Sequence, residues 1–172
     1  MPLHRLAALA ASLLFALPVA ALSPEQEALF AEELRGGSNN LVFVRGTTPA
    51  TFAEWKQSFL KLEVLVGWVH ASSGDQGRAA EGMTLVELRT SPDPADGPDV
   101  LRKMVSREPP SGTNTIIVAP AAVIAGAFGP EEAALREGDA IVFHAEGRGR
   151  YRKLGRLAKE ELAAMAERRR VK

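Results

Sequence analysis

Residues 41–50 read LVFVRGTTPA, and this stretch decides the fold. Four consecutive apolar residues, 41–44, predict a short strand buried on both faces, which is typical of a parallel sheet. Arg45 follows at the carboxyl end of that strand, and Gly46 and Thr47 come next. In α/β sheets, ligands bind beyond the carboxyl ends of the strands. Arg45 therefore marks a candidate anion site.

Apolar strands alternate with helical patterns along the rest of the chain. The periodicity predicts further strands over 64–69, 84–88 and 114–118, and a hairpin around residues 147–149 near the C-terminus. Predicted helices cover 24–35, 50–62, 78–83, 100–107, 121–129 and 158–169. This order predicts an α/β fold of three layers, with a mostly parallel central sheet and helices on both faces. The C-terminal β-hairpin and a terminal helix close the chain.

The first 21 residues are predicted to be a signal peptide. Arg5 precedes an apolar run from Leu6 to Leu17, and small residues end the segment near Ala21. The run is shorter than the roughly 20 residues that span a bilayer. We therefore expect cleavage after Ala21, a periplasmic or secreted bacterial protein, and no stable membrane insertion. Residues 22–172 then form a single domain.

Charge and residue counts exclude several classes of function. Lys+Arg and Asp+Glu are both 21, so no global field attracts nucleic acid. The chain has no cysteine, which excludes disulfides, a thiolate nucleophile and cysteine metal ligands. Of its histidines, His4 belongs to the predicted signal peptide, and His144 is expected to be structural. We expect no metal, no cofactor and no nucleic-acid partner.

Three loops meet at the carboxyl edge of the predicted sheet. The first carries Arg45 and Thr47, the second Ser73 and Arg78, and the third Pro120. Two guanidinium groups on neighbouring loops can hold one phosphate in bidentate fashion. A lone arginine more often caps strand carbonyls or is solvated. The pair of arginines predicts a pocket for phosphate or a small phosphorylated ligand.

The order of motifs along the chain resembles the histidine phosphatase superfamily, which has the phosphoglycerate-mutase-like fold. ELRGGSNNLVFVRGTTP (33–49) is similar to the family's helix, double glycine, strand and Arg-His-Gly-Thr. ASSGDQGRAAEGM (71–83) is similar to its Ser-Ser-Pro and Arg-x-x-Glu segments. PPSGTNTIIVAP (109–120) and LREGDAIVF (135–143) resemble its exported bacterial branch. The resemblance covers roughly residues 24–162 and implies a phosphate site.

The chain departs from the family at both histidine positions. The position of the family nucleophile, after the first arginine, is Gly46, and that of the second histidine is Pro120. A covalent route needs a nucleophile that accepts the phosphoryl group, and neither residue offers one. The resemblance therefore implies a degenerate member without catalytic residues, which keeps only Arg45 and Arg78 of the family's constellation.

Three functional interpretations remain open. The first is a pseudo-phosphatase that binds phosphate or a phosphorylated ligand through Arg45, Arg78, Thr47 and Ser73. The second is an active phosphoester hydrolase in which His70, or a directly attacking water, replaces the family nucleophile. Against it, a histidine at a strand end is more often simply bonded to backbone. The third is a structural or partner-binding protein whose pocket is vestigial.

Overall fold

A computed structural model describes residues 22–46, 49–72, 87–89 and 92–169. The predicted signal peptide and the predicted helix 78–83 lie outside these residues, as do Thr47, Ser73 and Arg78. The structure therefore describes the strands that carry the predicted pocket. Of its four predicted lining residues, it describes Arg45.

The predicted α/β class is confirmed. The described helices and strands are α1 (Pro24–Gly36), β1 (Asn39–Val44), α2 (Pro49–Leu62), β2 (Val66–His70), β3 (Glu87–Arg89), α3 (Pro98–Val105), β4 (Asn114–Ala119), α4 (Ala121–Phe128), β5 (Ala140–Gly147), β6 (Arg150–Leu157) and α5 (Lys159–Arg169). Two short 3-10 helices, Pro94–Asp96 and Pro130–Ala134, were not predicted. Within the described part of the chain, no helix is long and apolar enough to cross a bilayer.

Six strands form one mixed sheet in the order β3-β2-β4-β1-β5-β6. The pairs β1–β4, β2–β4 and β2–β3 are parallel, whereas β5 is antiparallel to both β1 and β6. β1 lies between β4 and β5, and all its residues are buried, as its apolar run predicted. The carboxyl ends of β1, β2 and β4 share one edge of the sheet, here called the carboxyl edge. Because β5 runs the other way, it begins at that same edge.

The sheet separates two apolar cores, because successive side chains of a strand point to opposite faces. Leu41 and Phe43 belong to the first core, which α1, α2 and α5 cover. Val42 and Val44 belong to the second core, beneath α3 and α4. Trp55 of α2 is 1% exposed and stacks on Phe43 with ring centroids 3.9 Å apart. The helices on both faces follow from this alternation of apolar residues along β1.

Buried asparagines join the loops at the opposite, amino edge of the sheet. Asn114 donates from Nδ2 to the carbonyls of Leu34 (2.7 Å) and Leu65 (3.1 Å). Its Oδ1 accepts from the backbone N–H and the Nδ2 of Asn39 at 3.3 and 3.1 Å. Asn39 Oδ1 lies 3.2 Å from Nδ1 of His144, so this histidine contacts the same buried asparagine network. Through Asn114, the Gly-Thr-Asn-Thr motif therefore hydrogen-bonds α1, β1 and the loop before β2 to the start of β4, at the edge opposite the carboxyl edge.

Candidate functional site

Arg45 lies at the carboxyl edge, where the sequence places it. Its backbone N–H donates to the carbonyl of Ala119 at 2.9 Å, which continues the β1–β4 ladder one residue beyond β1. On the other side, the N–H of Val44 donates to the carbonyl of Asp139 at 2.9 Å. Residue 45 itself is exposed. The strand end is thus held from both sides, and Arg45 lies at the surface.

Gly46, to which the sequence resemblance assigns the position of a nucleophile, is buried beneath Glu137. A Cβ built on Gly46 would lie 2.6 Å from Oε1 of Glu137 and 3.0 Å from its Cγ. The Glu137 side chain therefore occupies the space in which a side chain at residue 46 would begin.

Glu137 is carried by a tight turn, residues 136–139, that closes over the end of β1. The N–H of Gly138 donates to the carbonyl of Val44 at 3.3 Å, and Nε1 of Trp55 donates to the carbonyl of Gly138 at 3.1 Å. Asp139 accepts from the N–H of Arg136 at 2.9 Å and from the N–H of Lys159 at 3.1 Å. The turn is consequently fixed to β1, α2 and the start of α5.

A buried acid anchors the segment that leads into this turn. Glu132, in the 3-10 helix Pro130–Ala134, has a fully buried side chain and binds Lys153 and Arg156 of β6. The Nε of Arg156 lies 2.8 Å from Oε2 of Glu132, and its NH2 donates to the carbonyl of Glu131 at 3.1 Å. A buried carboxylate is tolerated when it is paired and hydrogen-bonded in this way. The clamp keeps the turn 136–139 in place from its N-terminal side.

The third loop offers no hydrogen-bond donor at Pro120, the residue to which the sequence resemblance assigns the second histidine position. Pro120 is the N-cap residue of α4, with φ −61° and ψ 142°, and makes no side-chain cap hydrogen bond. Proline has no backbone N–H. Its carbonyl accepts from Val123 and Ile124 at 3.0 and 3.1 Å. Residue 120 therefore starts a helix and contributes no side-chain group to an anion.

His70 ends β2 at the carboxyl edge but is enclosed. It is 2% exposed, and its Nδ1 has no hydrogen-bond partner among the residues that the structure describes. Burial lowers the pKa of His70 from 6.5 to about 4; the charges of Arg89 and Arg107 act in the same direction, and Glu87 opposes them. The imidazole is neutral at pH 7. The hydrogen bond to a backbone group that is common for a histidine at a strand end is not seen at Nδ1 of His70 among the described residues.

Arg45 and His70 lie at the ends of two strands that are not neighbours, and their side chains are directed to opposite faces of the sheet. β4 separates their strands, so the two backbones are about 10 Å apart. Val69 packs in the first core and Val44 in the second, so the alternation directs His70 towards the second face and Arg45 towards the first. The scaffold does not bring these two side chains to one point.

Three grooves lined by described residues run along α5, and neither Arg45 nor His70 is among the lining residues of these three. The largest, about 560 Å³, lies between α1 and α5 and has Arg35, Arg168 and Arg169 among its lining residues. The other two lie between α2 and α5. No group of three or more histidines and carboxylates within 22–46, 49–72, 87–89 and 92–169 can hold a metal ion.

Comparisons with protein-family models, with curated proteins and with solved structures find no match for this chain. The resemblance to the histidine phosphatase superfamily accordingly rests on the quoted motifs alone.

Glu137 is the residue of this edge to which sequence reasoning gave no role. It lies in the quoted segment LREGDAIVF, where the Glu-Gly-Asp run predicts a turn. The turn comes back to Gly46 only because β5 pairs with β1 in antiparallel fashion, with Ala140 opposite Phe43. Nothing local in the sequence specifies that pairing, so the proximity of Glu137 to Gly46 was out of reach.

Proposed function

We propose that this chain is an exported phosphatase-like protein that lacks phosphatase chemistry and binds phosphate or a small phosphorylated ligand at its carboxyl edge. The observation that carries the proposal is the Arg45–Gly46 pair. An exposed arginine follows the strand end, and the adjoining position has no nucleophile and is covered by a carboxylate. The motif resemblance supports the class of ligand, and the predicted signal peptide supports the location.

Glu137 makes the proposed site a weak binder of small anions. The carboxylate that covers Gly46 lies beside the residue that follows Arg45, and its charge would repel a phosphate bound there, because like charges repel. A guanidinium can hold a phosphoryl group, but it is no nucleophile and cannot accept that group in a covalent route. Binding without turnover is the outcome that this arrangement of charges favours.

We expect phosphate to raise the melting temperature of the wild-type protein, because a ligand that binds only the native state stabilises it. Arg45→Ala should abolish the shift. Glu137→Gln should enlarge it and strengthen apparent phosphate affinity about fivefold, since it removes one repelling charge. Differential scanning fluorimetry from 0 to 50 mM phosphate, about the range for millimolar binding, measures both effects.

Two controls separate binding from general salt effects. Sodium chloride of the same ionic strength should not reproduce the shift, and Arg148→Ala, at the exposed tip of the β5–β6 hairpin, should leave it intact. An equal phosphate shift in wild type and Arg45→Ala would contradict the proposed site. No shift with phosphate, vanadate or any phosphoester would favour a vestigial pocket and a purely structural role.

A second candidate function, phosphoester hydrolysis through His70, has two observations in its favour. The imidazole is neutral at pH 7, and Nδ1 lacks a partner among the described residues. Against it stand the 2% exposure of His70 and its separation from Arg45. We expect no hydrolysis of p-nitrophenyl phosphate above background. Hydrolysis that is lost in His70→Gln but kept in His144→Gln would replace the first proposal with this one.

A further inference from the structure

Leu22, the first residue after the predicted cleavage point, is attached to the last helix. Its backbone nitrogen donates to Oε1 of Glu161 at 3.0 Å. Its half-buried side chain packs against the first core. Ser23 then caps α1, with its Oγ accepting from the N–H of Gln26 at 3.2 Å. The folded domain is therefore secured from Leu22 onward.

Glu161 uses both oxygens of its carboxylate in this contact. While Oε1 accepts from Leu22, Oε2 accepts from the backbone N–H of Ala158 at 2.8 Å. The second bond fixes the carboxylate in the first turn of α5. Glu161 thus holds a fixed anion against the nitrogen of Leu22.

We propose that cleavage after Ala21 converts this hydrogen bond into an ion pair between the new amino terminus of Leu22 and Glu161. Hydrolysis of the Ala21–Leu22 peptide bond gives the hydroxyl of water to the Ala21 carbonyl and its hydrogen to the Leu22 nitrogen. That nitrogen, now an amine, takes a further proton from solvent. A neutral amide donor becomes an ammonium, and hydrogen bonds between charged groups are stronger than those of neutral amides. Removal of the leader would therefore lock α1 onto α5.

The proposed ion pair would add to a contact that already exists at the same end of α1. In the first turn of α1, Oε1 of Glu27 lies 2.6 Å from NH2 of Arg168 in the last turn of α5. Near its C-terminus, α1 is held by the fully buried Leu34. The start of the helix is thus joined to α5 by Leu22–Glu161 and by Glu27–Arg168, and cleavage would strengthen the first of these contacts. The mature chain should therefore be more stable than any form in which the Leu22 nitrogen stays acylated.

This inference rests on the exported part of the proposed function and is independent of ligand binding at Arg45. The test compares the chain that begins at Leu22 with a free amine and the same chain with an acetylated amine. The free-amine form should melt about 3 °C higher, as expected for a charged hydrogen bond in a domain of this size. In Glu161→Gln the difference between the two forms should vanish, whereas in Glu160→Gln, its exposed neighbour, it should persist.

The comparison within each variant keeps the test valid even if Glu161→Gln weakens α5. Equal melting temperatures of the free and acetylated wild type would overturn the proposal, and so would an undiminished difference in Glu161→Gln. Intact mass of the protein recovered after export supplies the second measurement. A first residue other than Leu22 would also overturn the proposal, whereas loss of phosphate binding in any of these forms would bear only on the proposed function.

Discussion

Replacing Asn114 by alanine should lower the free energy of unfolding by about 3–4 kcal/mol, because each buried polar group left without a partner costs about 1–3 kcal/mol. Asn114 is fully buried and makes four side-chain hydrogen bonds, to Leu34, Leu65 and twice to Asn39. Alanine removes them all and leaves the Leu34 carbonyl and the Asn39 N–H without that partner. Urea unfolding at pH 7 measures the loss.

Two further substitutions provide a scale for the loss of stability expected in Asn114→Ala. Asn40→Ala removes bonds of 2.9 Å to the carbonyls of Val105 and Arg107 and should be less destabilising. Ser106→Ala removes one exposed bond to the carbonyl of Lys103 and should change stability by about 0.5 kcal/mol or less. A loss below about 1 kcal/mol for Asn114→Ala would show that the amino edge is not held by this network.

Acidification should destabilise the protein through His70 by about 3 kcal/mol between pH 7 and pH 4. The folded pKa of His70 is about 4, below its usual 6.5, so the unfolded chain binds a proton first as the pH falls. Stability from this group is therefore complete above pH 6.5 and is lost progressively towards pH 4. Burial is the main cause of the lowered pKa, with Arg89 and Arg107 adding to it.

The measurement is the difference in unfolding free energy between wild type and His70→Gln at several pH values. Because carboxylates titrate in both proteins, their contribution cancels, and the wild-type advantage should shrink by about 3 kcal/mol from pH 7 to pH 4. His144→Gln is the matched control, and the acid loss assigned to His70 should persist in it. A difference that does not depend on pH would mean that His70 is not held neutral by its surroundings.

The fold was predictable wherever the residues of one segment alone, such as a continuous apolar run or a pair of turn glycines, indicate its secondary structure. The apolar runs of β1 and β4 are continuous, so their burial on both faces could be read directly. The β5–β6 hairpin was signalled by Gly147 and Gly149, which both take positive φ, as does Arg148 between them. The 3-10 helix Pro130–Ala134 has no such pattern, because its place depends on the contact of Glu132 with β6.

The candidate site was predictable only as far as strand order implies it. Arg45 had to lie at the carboxyl edge, since it follows a buried parallel strand. The cover over Gly46 depends on the distant Glu137, and the enclosure of His70 depends on packing across β2, β3 and β4. Such contacts arise from tertiary pairing, which residue types at single positions do not encode. Thr47, Ser73 and Arg78 remain predicted members of the site.

The position of β1 has a consequence for the order of folding. Leu41 pairs with Ile116 on one side and with Val142 on the other, so both neighbours of the central strand emerge about 75 and about 100 residues after it. Long-range pairings of this kind form slowly, and a chain still being made cannot complete them. On the proposed export route, the sheet could not close before nearly the whole chain has crossed the membrane. If the chain follows that route, its topology delays folding until translocation is almost finished.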